Sequence, residues 1–285
     1  RSSPFSAHTN TNHKSFQLLH KQHSTLNRGM PSLFIVFIIG TAGSGKSLLT
    51  GAFTDWLRLS KQNVIAVNLD PGVLTLPYTP DIDIRDYVKI EQLMEQHELG
   101  PNGALIMAAD LIAEETERLG DEIATFSPDI ALIGTPGQME LFAFRASGPY
   151  IANELTKEPK TLVYLFDSVF CSNPLNYVSN VFLSAAVYNR FFVPQIHVLS
   201  KSDLLPAGQT KQIVDWSANP TALETAIDEK LTGTGRLLSK DVVRAVYRLG
   251  LKFLLLPVSA RTNEGFINLN TTLERILASG EKFTP

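Results

Sequence analysis

Cysteine is almost missing from this chain, and Cys171 is the only one. One thiol excludes an intramolecular disulfide and any multi-cysteine zinc site. Cys171 itself reads as a small, semi-buried apolar residue, and so little cysteine points to a reducing, cytoplasmic setting. Long hydrophobic runs are missing too. The longest strongly apolar stretch, Leu33 to Ile39, is too short to cross a bilayer and suits a buried strand, so no membrane span is expected. An excess of positive charge is also lacking: 25 Lys and Arg stand against 28 Asp and Glu, for a net −3. A nucleic-acid binder is more often basic with a clustered patch, so no direct nucleic-acid partner is expected. What is present is ordinary for a globular protein able to bury a core, with 44% apolar and 19% charged residues in 285.

Acid is absent from residues 1–29, which carry Arg1, Lys14, Lys21, Arg28 and four of the six histidines. This polar stretch lacks apolar periodicity and is expected to be disordered. A targeting segment and translation from upstream of Met30 are the alternatives. The histidines of "HTNTNHK" are read as unordered rather than metal-binding. Because a strand begins almost at once after "MPSLFIV", Met30 is taken as the functional start, and residues 30–285 as one domain.

From Ser32 onward strand-like and helix-like blocks alternate. Strands are expected at 32–39, 63–69, 129–133, 161–166, 195–200 and 252–257. Helices are expected at about 46–59, 85–97, 103–119, 138–156, 173–191, 209–230, 238–249 and 264–279, with Asn102 capping the third. Near-continuous apolar strands alternating with helices predict an α/β fold, a mostly parallel sheet sandwiched between helices.

"GTAGSGKS", Gly40 to Ser47, fits G-x-x-x-x-G-K-[ST] between a predicted strand and a predicted helix, the setting of a P-loop NTPase. Gly43, Ser44, Gly45 and Leu48 belong to this cradle. Its backbone N–H groups surround phosphate oxygens and the helix N-terminus adds a favourable dipole. Lys46 is expected to reach the β- and γ-phosphates, and the Ser47 hydroxyl to ligate Mg²⁺.

"SKSD", Ser200 to Asp203, follows a predicted strand and reads as base recognition. The Asp203 carboxylate can accept from guanine N1–H and N2–H₂ together, whereas adenine presents an acceptor at N1 and no amine at C2. Lys201 would lie over the base plane. "SA", Ser259-Ala260, follows the next strand and offers a backbone N–H to guanine O6. An ordinary surface turn is the competing reading of the tetrapeptide. Asp70, in "NLDP", ends the second strand, where ligands of open α/β sheets bind. It reads as a metal and catalytic residue, or as a turn initiator before Pro71. Gln138 reads as a water-orienting residue or as a helix-start glutamine. Arg145 reads as a surface ion-pair partner rather than an arginine finger, and Trp56 and Trp216 as packing residues. His97 reads as a helix-surface residue and His197 as a strand residue.

"GTAGSGKS", "NLDPG", "LPY", "DIDIRD", "GPN" (Gly100, Pro101, Asn102), "TPGQMELF", "SKSD" and "SA" occur in one order, and together they resemble the GPN-loop GTPases of archaea and eukaryotes. The resemblance covers Met30 to the C-terminus. It implies a Mg²⁺-dependent GTP hydrolase of the class containing signal-recognition and MinD-like enzymes, working as a homodimer or a heterodimer with a paralogue. It further implies that the GPN loop reaches the partner's phosphates, so that Asn102 helps to position the γ-phosphate or released phosphate in trans. Asp70 and Gln138 match positions implicated in Mg²⁺ and water placement. Eukaryotic members are linked to RNA polymerase II assembly and nuclear import, which would make that machinery the client.

One position departs from the pattern. In "ALIGTPGQME" Gly134 stands where the family has Asp, a carboxylate that steadies the metal. Binding is expected to survive and hydrolysis to be slowed. A GTP-binding assembly factor or scaffold with little turnover is therefore the alternative to a hydrolysing switch. A P-loop kinase or MinD-type ATPase is a third reading, for which neither an adenine-compatible pocket nor an Arg-bearing lid is found.

Overall fold

The computed structural model describes residues 33–230, 233–248 and 254–278. Residues 1–29, the Met30 start and part of the expected strand 252–257 lie outside them. Seven parallel strands form one sheet in the order β3-β2-β4-β1-β5-β6-β7. They are β1 (Phe34–Gly40), β2 (Val64–Asn68), β3 (Ile82–Asp83), β4 (Ile130–Gly134), β5 (Lys160–Asp167), β6 (Gln195–Ser200) and β7 (Leu255–Pro257).

The strands read as continuous apolar runs because both faces are covered. Side chains alternate between faces with a period of two, and the two packing clusters divide accordingly. Ile35, Phe37 and Ile39 of β1 join one cluster, and Val36 and Ile38 the other. On the second face lie α1 (Lys46–Leu59), through Leu49, Phe53 and Leu57, and α12 (Phe266–Ala278), through Phe266, Leu269 and Leu273. The other face carries α2 (Ile90–Gln96), α3 (Pro101–Glu114), α4 (Thr116–Thr125), α5 (Met139–Phe142), α6 (Ser147–Glu154) and α8 (Pro174–Phe191). With them lie α9 (Ala207–Ala218), α10 (Pro220–Lys230) and α11 (Gly233–Arg248). The short α7 (Ser168–Cys171) follows β5 directly.

Four expected helices are broken or displaced. The predicted 85–97 helix is a short 3-10 turn, Ile84–Asp86, followed by α2, with extended backbone at Lys89 between them. The predicted 103–119 helix starts at Pro101, so its cap is Gly100 and Asn102 lies inside the first turn with no capping bond. Pro suits the first helical position because its missing N–H is unpaired there anyway. The same helix ends at Glu114, where Thr116 Oγ1 donates back to Ala113 O at 2.8 Å, a bond that bends helices. The 209–230 helix is divided at Asn219, which is extended ahead of Pro220, as the residue before a proline tends to be. The 138–156 segment is two helices, α5 and α6. No described helix is long and apolar enough to cross a membrane.

Chain order reverses at β1, which lies between β4 and β5. Loops leaving the carboxyl ends of neighbouring strands diverge at such a point and leave a crevice.

Candidate nucleotide site

The glycine-rich turn after β1 opens into that crevice. Gly43 and Gly45 have φ of 75° and 95°, the left-handed region where a side chain is strained, and Gly45 starts α1 with no side-chain cap. The first backbone N–H groups of α1 are therefore left for a ligand. Ser44 is buried and its hydroxyl has no hydrogen-bond partner among the described residues.

Lys46, also buried, points its ammonium at three carbonyl oxygens, those of Gly40, Thr41 and Gly137, each at 3.0 Å. Burial lowers its pKa to about 8, a shift partly opposed by the Asp70 and Glu140 carboxylates. Gly137 belongs to the loop after β4. Its N–H donates to Asp70 Oδ2 at 2.8 Å, while Asp70 Oδ1 accepts from Gly72 N at 3.0 Å. One loop residue thus joins the P-loop lysine to the acid after β2. Asn68, the last residue of β2, holds the Asp70 main chain by accepting from its N at 3.0 Å and donating to its O at 3.2 Å. Burial raises the Asp70 pKa, against the pull of these N–H groups and of Lys46.

At the other end of the crevice Ser200 Oγ donates to Ser44 O at 2.7 Å, and Lys201 Nζ to Gly43 O at 2.6 Å and Asp167 Oδ2 at 2.6 Å. Lys201 itself has a φ of 57°, a costly conformation for a non-glycine residue. Its carbonyl is held by the Ser168 hydroxyl at 2.7 Å. A pocket of about 250 Å³ lies beside this loop, lined by Gly45, Leu48, Ser200, Lys201, Asp203 and Ala260, with Leu204 and Arg261 completing its rim. Leu204 and Arg261 were missed in the sequence, although each directly follows a motif residue that was singled out.

The remaining candidates fall nearby or apart. Gln138 is exposed at the start of α5. Gly100, Pro101 and Asn102 are exposed at the start of α3, and no hydrogen bond among the described residues ties Asn102 to the P-loop of its own chain. Arg145 pairs with Asp110 at 2.8 Å. Trp56 packs on Phe53 and Phe266, and Trp216 on Tyr177. His97 is exposed at the end of α2, and His197 is buried in β6. Cys171 is fully buried rather than semi-buried, its thiol pushed up to about 12 by burial, so it stays an unreactive SH group.

Among the described residues no three His, Cys, Asp or Glu side chains converge as a metal cluster. The Ser47 hydroxyl and the Asp70 carboxylate are hard oxygen donors. Such a sparse pair suits a magnesium ion that takes its other ligands from water and phosphate oxygens.

Fold and crevice together define a P-loop nucleotide-binding protein. Residues 38–279 match the family model described as "Conserved hypothetical ATP binding protein". The chain is 32% identical over 241 residues to GPN-loop GTPase PAB0955 of Pyrococcus abyssi, covering 83% of this chain and 94% of that one. It is 30% identical over 247 residues to GPN-loop GTPase 1 of Saccharomyces cerevisiae, covering 82% of this chain and 63% of that one. A crystal structure of PAB0955, described as a GTPase in apo form, superposes with a TM-score of 0.76 over 87% of this chain and 98% of that one, at 32% identity. The chain belongs to the GPN-loop GTPase family. It spans between 51% and 64% of the length of three of its eukaryotic relatives.

Proposed function

We propose that this protein binds GTP with Mg²⁺ and hydrolyses it to GDP and phosphate, as a dimeric nucleotide switch. The observation that carries this reading is the pocket in which Asp203, Lys201 and Ala260 meet Gly45 of the P-loop. It puts the groups read as base-recognising on one continuous surface with the P-loop turn. The family model is described by ATP, the relatives as GTPases. Asp203 favours the relatives' nucleotide, since a carboxylate facing adenine N1 would set acceptor against acceptor.

Ser47 and Asp70 would hold the metal, whose chemistry is to neutralise charge between β- and γ-phosphate oxygens. Lys46 would leave its carbonyl partners for the phosphates, the stronger, charge-assisted acceptors. Gln138 would orient the attacking water. Exposed Asn102 is free to act on the site of a second copy or of a paralogue, and RNA polymerase assembly machinery in the cytoplasm is the client the family resemblance suggests. A GTP-binding assembly factor with little turnover is the second reading, and Gly134 favours it.

Single-turnover GTP hydrolysis separates the two. Losing one charge-assisted hydrogen bond costs about 1.5–3 kcal/mol, so Gly134→Asp, made together with Tyr78→Phe to remove the hydroxyl that stands 3.0 Å from a Cβ at 134, should raise the rate about tenfold or more. Equal, appreciable rates in both chains would remove the case for impairment. No hydrolysis in either would leave only the binding factor.

A further inference from the structure

Gly134 ends β4 between Ile38 of β1 and Asn68 of β2. The space in front of it is already claimed. A Cβ built on Gly134 would lie 3.0 Å from the Tyr78 hydroxyl oxygen and 3.4 Å from Thr50 Oγ1. Tyr78 comes from the proline-rich segment between β2 and β3. Its side chain can lie against α1 because Gly51 has no side chain there: a Cβ on Gly51 would come within 2.7 Å of Tyr78 Cβ and 3.0 Å of Cγ. Two glycines, one on α1 and one on β4, therefore make the notch that seats this phenol.

Thr50 is buried in α1 and donates to Lys46 O at 2.9 Å. Ser47 precedes it by three residues and so lies on the same side of the helix. The Tyr78 hydroxyl is thus set beside the first turns of α1, in the place a side chain at 134 would take. It makes no hydrogen bond to another described residue. Burial, together with the Asp83 and Asp70 charges, holds the phenol well above its ordinary pKa, so it stays a neutral O–H.

We propose that Tyr78 is a positioning residue of the phosphate end. Its hydroxyl takes over at Gly134 the holding of a water in the metal–phosphate shell. A neutral phenol can both donate to and accept from such a water, though more weakly than a carboxylate accepts. The inference rests on the nucleotide-site reading above and not on turnover.

The test is calorimetric titration of a non-hydrolysable GTP analogue and of GDP, each with and without Mg²⁺, for the native chain, Tyr78→Phe, and Tyr78→Phe combined with Gly134→Asp. The native chain should bind the analogue more tightly with Mg²⁺. Tyr78→Phe should reduce that gain about three- to tenfold, the worth of one hydrogen bond. Its Mg²⁺-free GDP affinity and melting temperature should match the native chain. The double variant, in which the missing oxygen leaves room for the carboxylate, should recover the gain. An unchanged gain in Tyr78→Phe, or an equal loss in Mg²⁺-free GDP affinity, overturns the proposal. So does a native chain that gains nothing from Mg²⁺. A gain lost in Tyr78→Phe while no chain hydrolyses GTP upholds Tyr78 and refutes hydrolysis alone.

Discussion

At the base end of the crevice Ser200 and Lys201 both donate directly to P-loop carbonyls, those of Ser44 and Gly43. At the phosphate end Lys46 and Asp70 are joined by hydrogen bonds through the backbone of Gly137, whose O accepts from one and whose N donates to the other. The base end is held by side-chain bonds that no nucleotide has to break, so it is preorganised for a ligand. The phosphate end is held by bonds to the very groups that phosphate and metal would claim. A ligand that draws Lys46 away would remove one of the two bonds that hold Gly137, whereas one that fills the base pocket would leave the Ser200 and Lys201 bonds in place. On the proposed function, recognition and response would therefore sit at opposite ends of one site.

The largest expected effect comes from breaking the responsive end. Lys46→Ala removes the cation aimed at developing phosphate charge and should lower single-turnover hydrolysis about a hundred- to a thousandfold. A loss of less than about tenfold would show that Lys46 is held by its carbonyls throughout. At the base end, Asp203→Asn should weaken GTP about ten- to a hundredfold and narrow the gap to ATP, since one charged acceptor is lost. Unchanged selectivity in competition binding would mean that the base is read elsewhere.

The pH dependence is smaller and separates the two ends again. The folded pKa of Lys46, about 8, lies below its ordinary value of 10.5. The folded state therefore binds fewer protons than the unfolded chain between those values, and stability from this group rises with pH across that window. The cation needed by phosphate is lost over the same window. Bound phosphates raise the Lys46 pKa above its ligand-free value, so GDP affinity should be level well below pH 8 and fall severalfold as the pH rises through and beyond about 8. Affinity that stays level into the alkaline range contradicts this. Smallest is Ser200→Ala. Losing its bonds to Ser44 O and Phe166 O should cost about 1 kcal/mol, a drop of about 2–4 °C in melting temperature. Hydrolysis with saturating GTP should be untouched, and a slowed rate would break the separation of the ends.

The same division governs what could be read in advance. The P-loop, "SKSD" and "SA" are short, and their chemistry depends on neighbours in sequence, so spacing after a strand was enough to place them. The alternation of strands and helices was legible because both sheet faces are covered, which makes each strand an apolar run. The Gly137 bridge was not legible, since its partners lie 91 and 67 residues away and bond through backbone atoms that carry no residue signature. In the sequence Tyr78 stands out only as part of "LPY". Its seat on Gly51 and Gly134 depends on the path of a proline-rich segment without regular structure. Thr116 gave no warning of a helix break, because its hydroxyl bond to Ala113 competes with helix geometry that propensity alone favours.

The most direct test of a guanine nucleotide site is competition calorimetry on this chain with GTP and ATP in the presence of Mg²⁺. GTP at least about tenfold tighter is the predicted result, the worth of one charge-assisted hydrogen bond at Asp203. ATP binding as tightly as GTP, or more tightly, would contradict it.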